Sequence, residues 1–112
     1  MYLYNKEMSL LTENTSELKA LCNQHKVNKL YAFGSVLTPE FDKKAESDID
    51  FFLNMLEGLP PLEKGEEILS LWFELEKLFG RKIDLLTDTS VQNPYLLAEI
   101  NKTKQLVYER QG

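Results

Sequence analysis

Apolar and polar positions along the chain recur with different periods, and each period predicts a different element. Between residues 6 and 25, Leu10, Leu11, Leu18, Leu21 and Cys22 fall at helical spacing, and polar residues cluster at Thr12 to Thr15. This predicts one helix, interrupted near Thr12 to Thr15. Residues 27–33 form a short apolar run that ends at Gly34, the pattern of a first strand, with Ser35 opening a short helical turn or loop. Residues 38–47 are polar and charged around Phe41, as in an exposed loop. In the next run, Ser47-Asp48-Ile49-Asp50-Phe51-Phe52-Leu53, a strand would place Asp48 and Asp50 on one face and Ile49, Phe51 and Leu53 on the other. One face is then expected to carry chemistry and the other to join the core.

Beyond Gly58, Pro60 and Pro61 the period lengthens again. Ile68, Leu71, Trp72, Leu75, Leu78 and Phe79 make a wide apolar stripe over residues 62–79, which predicts a helix packed on a sheet and stopped by Gly80. Residues 81–87 predict a third strand, with Ile83 and Leu85 facing the core and Asp84 facing the other way. Pro94 opens a last helix with Leu96, Leu97 and Ile100 at core spacing, and residues 105–109 can add a short edge strand. Strand, crossover helix, strand is the order of a parallel or mixed sheet. The expected class is α/β (α+β), a small mixed β-sheet with flanking helices, in one domain over residues 1–112.

Composition narrows the function. The chain has 112 residues, 43% of them apolar, and its longest apolar runs fall far short of the roughly 20 residues of a membrane span. Polar and acidic residues near the start, including Asn5, Lys6 and Glu7, give no secretory segment, so a cytoplasmic protein is expected. A net charge of -5 argues against general nucleic-acid binding, which needs a basic face, and means that any polyphosphate ligand must bring cations with it. The single cysteine, Cys22, excludes an internal disulfide framework and reads as a half-buried thiol in a helix. His25 reads as a cation at the end of that helix rather than a metal ligand.

An Asp within an apolar strand is costly to bury unless its charge is satisfied, and this chain places Asp there at positions 48, 50 and 84. If the two strands are neighbours, three carboxylates meet beside the Gly34-Ser35 turn, whose backbone N–H groups and hydroxyl suit a phosphate. Such a carboxylate set suits Mg²⁺, and two such ions can bind nucleotide phosphates and activate an attacking hydroxyl. The plainer alternative is that these are strand-end Asp residues accepting backbone hydrogen bonds.

Phe33-Gly34-Ser35, Ser47-Asp48-Ile49-Asp50 and the later Leu78-Phe79-Gly80-Arg81-Lys82-Ile83-Asp84 together resemble the minimal nucleotidyltransferase (MNT) family of the DNA polymerase beta-like superfamily. The resemblance covers roughly residues 27–108. It implies that Asp48, Asp50 and Asp84 hold metal, that Asp84 also helps deprotonate the acceptor, and that Gly34, Ser35 and Ser47 bind the nucleotide. It further implies ATP as substrate, two Mg²⁺ ions, and a helical HEPN toxin as partner, neutralised by transfer of AMP to a tyrosine in the manner of an MntA-like antitoxin. Many relatives follow Gly-Ser with Arg and Gly, whereas this chain has Val36-Leu37-Thr38-Pro39. Two alternatives stay open: a non-catalytic module that binds its partner stoichiometrically, and transfer to a small hydroxylated molecule such as an aminoglycoside. Lys43 and Lys44 could add positive charge from the loop, or simply be solvated there.

Overall fold

The computed structural model describes residues 9–37 and 48–111. The predicted interruption of the first helix is present: α1 (Ser9–Glu13) and α2 (Thr15–Gln24) meet at Asn14, whose side-chain amide donates to Leu10 O at 2.8 Å. A side chain that bonds the preceding turn competes with the helix ladder, which accounts for the break. Strand β1 (Val27–Phe33) leads into a 3-10 turn at Gly34–Leu37, and β2 (Ile49–Met55) follows the loop. The crossover helix α3 (Pro61–Phe79) starts with Pro at its first position and ends at Gly80, which takes the left-handed conformation (φ 63°) and donates its N–H to Glu76 O. Strand β3 (Ile83–Leu86) is shorter than the predicted 81–87. Helix α4 (Pro94–Thr103) is capped by the Asn93 side chain, which accepts from the backbone N–H of Tyr95 and Leu96, and β4 (Gln105–Glu109) ends the fold.

The four strands lie in the order β3-β2-β1-β4, so the sheet is mixed. β1 is antiparallel to both β2 and β4, and β2 is parallel to β3, as the α3 crossover requires. The last strand is an edge strand, as expected. Arg110 then fastens the end of the chain, donating through Nε to Val27 O at 2.9 Å and through its terminal nitrogens to Asn23.

The sheet separates two apolar layers. On one face Ile49, Phe51 and Leu53 of β2, with Leu30 and Ala32 of β1 and Ile83 and Leu85 of β3, are buried against Leu18 and Cys22 of α2 and Leu71, Leu75 and Phe79 of α3. Each fully buried large side chain contributes about 1.5–3 kcal/mol, so this layer holds most of the fold's cohesion. The other face is not given over wholly to chemistry. Phe52, on the Asp50 side of β2, is buried with Val91 and Ile100, and Tyr31, Phe33, Leu86 and Leu97 pack around them. Helix α4 thus covers one half of this face.

Leu96 departs from expectation, at 46% exposed. Leu97 and Ile100, three residues apart on the helix, already cover the sheet, and this turns Leu96 outward. Cys22 is fully buried rather than half-buried. His25 does end α2, but it is buried, and its Nδ1 lies 2.9 Å from Glu67 Oε1 of α3. Lys26, beside it, adopts a positive φ of 65° in the turn into β1 and pairs with Glu63. Among the described residues no helix is long and apolar enough to cross a membrane.

Candidate active site

The site begins where β1 ends. Gly34 has φ 75°, and a Cβ built there would lie 2.5 Å from Asp50 Oδ2, inside any tolerable contact. Both the backbone conformation and the space require glycine at this position. The turn therefore brings its backbone directly against a carboxylate, with Ser35 next in the chain and Val36 fully buried behind it in the core. Val36 is apolar, so the turn has no side-chain cation at that position.

Strand register assembles the acids. Phe33 pairs with Asp50, and Asp50 pairs with Asp84, so the three residues form one row across β1, β2 and β3. Paired residues on neighbouring strands sit about 4.8 Å apart and point to the same face, which here is the one that α4 leaves partly open. Asp48 lies immediately before β2, two residues upstream of Asp50.

The electrostatics show what this proximity costs. The Asp50 carboxyl is pushed up to about 6, first by burial, then by the charge on Asp84 and then by that on Asp48. Among the described residues no Lys, Arg or His forms an ion pair with Asp50 or Asp84. Nor is any group of three His, Cys, Asp or Glu side chains already gathered as a metal site. The carboxylates of Asp48 and Asp84 lie near enough to Asp50 for their charges to act on it. As a donor set, however, they are hard oxygens on neighbouring strands, half-buried and without a counter-charge at Asp50, which fits a divalent cation such as Mg²⁺.

Helix α3 holds the third acid in place. Trp72 Nε1 donates to Ile83 O at 2.7 Å, and Ile83 N donates to Glu76 Oε2 at 3.3 Å. These two side chains satisfy both backbone groups of the residue just before Asp84, on an edge strand where they would otherwise lack partners. Ile49 N also donates to Lys82 O at 3.0 Å, locking the starts of β2 and β3 together. Sequence reasoning took Trp72 only as core packing, and its bond to a strand backbone could not be read from periodicity.

Of the sequence-predicted residues, Gly34, Asp48, Asp50 and Asp84 come together at one end of the sheet, with the Ser35 backbone in the adjoining turn. Ser47, Lys43 and Lys44 lie outside the described residues, as does the rest of the loop at 38–47. One further residue at this end was missed. Lys104, between α4 and β4, places Nζ 4.1 Å from the centre of the Tyr31 ring and 5.0 Å from that of Phe52.

Residues 16–112 match the family described as polymerase beta, nucleotidyltransferase. "Putative protein adenylyltransferase MJ1379" of Methanocaldococcus jannaschii is 37% identical over 90 residues, spanning 80% of this chain and 84% of that protein. A solved "putative minimal nucleotidyltransferase" has the same fold with a TM-score of 0.62 at 22% identity, covering 88% of this chain and 93% of that one. The fold also recurs in a complex of a tri-AMPylated Shewanella oneidensis HEPN toxin with an MNT antitoxin (TM-score 0.54, 20% identity, 89% of this chain and 73% of that one). A glycine turn against Asp50, with Asp84 beside it on the parallel strand, is thus found in a sequence whose match spans residues 16–112, and the chain belongs to the polymerase beta nucleotidyltransferase family.

Proposed function

We propose that this nucleotidyltransferase moves AMP from ATP onto a tyrosine hydroxyl of a helical HEPN-type partner, so acting as an antitoxin. The observation that carries the reading is the row of Asp50 and Asp84 against the Gly34 turn, where half-buried negative charge has no protein counter-ion among the described residues. Support for the acceptor class comes from the curated relative's name, and for the partner from the HEPN complex that shares the fold.

In this reading Asp48, Asp50 and Asp84 would hold two Mg²⁺ ions, and Gly34 and Ser35 offer backbone N–H groups to the triphosphate, with Ser47 as a further nucleotide contact. Bound Mg²⁺ would supply charge neutralisation of the phosphates and lower the cost of ionising the acceptor. A carboxylate oxygen of Asp84 receives the proton of the acceptor hydroxyl, and the acceptor oxygen then forms the new bond to the α-phosphorus as pyrophosphate departs. Trp72 and Glu76 keep Asp84 at its position through the Ile83 backbone, so the base does not have to be ordered during the reaction.

The test combines calorimetry and transfer. MgATP should bind well, and ATP with chelator should bind much more weakly. Labelled ATP should mark the purified helical partner, and Asp84→Asn should lower that transfer by roughly 10²-fold or more while costing less in ATP affinity. Equal ATP affinity with and without Mg²⁺ would sink the metal assignment. Fully buried Val36 after the Gly-Ser turn favours a second reading, in which the chain neutralises its partner by binding alone. In that case Asp84→Asn would leave neutralisation intact.

A further inference from the structure

Lys104 enters the sheet at the same end as the acids. Gln105, the next residue, pairs with Ala32 on β1, and Phe33, next to Ala32, pairs with Asp50. The Lys104 side chain runs back over the sheet and holds its ammonium above Tyr31 and Phe52, which are cross-strand partners with ring centres 6.4 Å apart. Phe52 lies two residues beyond Asp50 on the same face of β2, about 7 Å of strand. The ammonium donates to Asn101 Oδ1 at 2.7 Å and forms no salt bridge among the described residues.

In a chain with net charge -5, this partly buried lysine has no acidic partner among the described residues. Burial, and then the charge on Lys29, pull its pKa down, as expected of a cation that lacks an anion. The two aromatic faces steady the ammonium and fix its position. That position is the next cross-strand pair on the same face of the sheet from the Phe33–Asp50 pair.

We propose that Lys104 is a nucleotide-binding residue whose ammonium, held over Tyr31 and Phe52, takes a phosphate oxygen of the bound triphosphate on the side away from Asp84. The inference rests on the nucleotidyl-transfer reading above and assigns part of the same site. Lys104 supplies the positive side-chain charge that Val36 does not. It does so from the opposite end of the sequence.

The experiment measures the affinity of the full chain for MgATP and for magnesium tripolyphosphate, which carries the phosphates without base or sugar. Lys104→Met keeps a long unbranched side chain and removes the charge; Lys104→Arg retains the charge. Thermal melts establish that each variant is folded. Lys104→Met should weaken both ligands by a similar factor of roughly 10- to 100-fold, the worth of a charge-assisted hydrogen bond, and Lys104→Arg should restore most of it. Unchanged affinities in a folded Lys104→Met protein, with wild-type binding intact, would overturn the inference alone. A loss confined to MgATP would place Lys104 against base or sugar and overturn the phosphate assignment. If the wild-type chain binds neither ligand, the nucleotide reading falls, and this inference falls with it.

Discussion

Replacing Asp50 by Asn tests the electrostatics of the site without touching its shape. The amide is nearly isosteric, so it keeps the fit against Gly34 while removing one of three mutually repelling charges. In the folded chain burial and the neighbouring carboxylates push the Asp50 carboxyl up to about 6, from an ordinary value of 3.8. A folded pKa raised above the unfolded one means that the native state holds its proton longer, so stability falls as pH rises. The penalty is absent well below 3.8, grows between 3.8 and 6, and is complete above 6. A difference of roughly two units corresponds to about 3 kcal/mol at pH 8, with about half of it already present at pH 5. In urea unfolding with chelator, Asp50→Asn should therefore be more stable than wild type at pH 8, by up to about 3 kcal/mol, and the gap should narrow towards pH 5. Titrating groups that do not interact with Asp50 affect both proteins alike and cancel in the difference. A variant less stable than wild type at pH 8 would mean that Asp50 accepts favourable bonds as a structural residue, and the argument for a cation site would lose its basis. Adding Mg²⁺ should reverse the order, because only the wild type keeps the full donor set.

Three other outcomes follow from the same geometry. Gly34→Ala should cost about 1–3 kcal/mol in denaturant unfolding, and part of that cost should disappear in an Asp50→Ala background, which removes the contact but not the positive φ; strict additivity of the two changes would refute the contact. Trp72→Phe should cost about 1–3 kcal/mol by leaving Ile83 O without its donor, and should lower transfer by more than the loss of folded protein explains if Trp72 positions Asp84. Burial pushes the Cys22 thiol up to about 12, so in the native protein at pH 8 it should react with thiol reagents only through unfolding; rapid labelling without denaturant would contradict its place in the core.

Much of the fold was legible because its elements are long, periodic and punctuated. Gly34 and Gly80 both carry positive φ where the apolar runs stop, and Pro61 and Pro94 open helices as their missing N–H allows. The alternation Ile49, Phe51, Leu53 against Asp48 and Asp50 correctly separated the main core face of β2 from the acidic one. It could not show that Phe52 would share the acidic face with Asp50 yet be buried, because that depends on where α4 lands. The same docking decides Leu96: its spacing matches a core position, but Leu97 and Ile100 take the sheet and Leu96 faces out.

The chemistry divides in the same way. Sequence alone determined the local pieces: a glycine turn after one strand, two acids at period two on the next, a third acid on a later strand, and too little positive charge to bind polyphosphate unaided. These follow from backbone sterics and side-chain period, which act over a few residues. Only the tertiary structure decided that β2 and β3 pair in parallel with Asp50 opposite Asp84, that Trp72 and Glu76 hold the strand bearing Asp84, and that Lys104 swings over Tyr31 and Phe52. Strand register and helix docking are set by the packing of the whole core, where residues far apart in the sequence must fill the same space, and no local pattern encodes that fit.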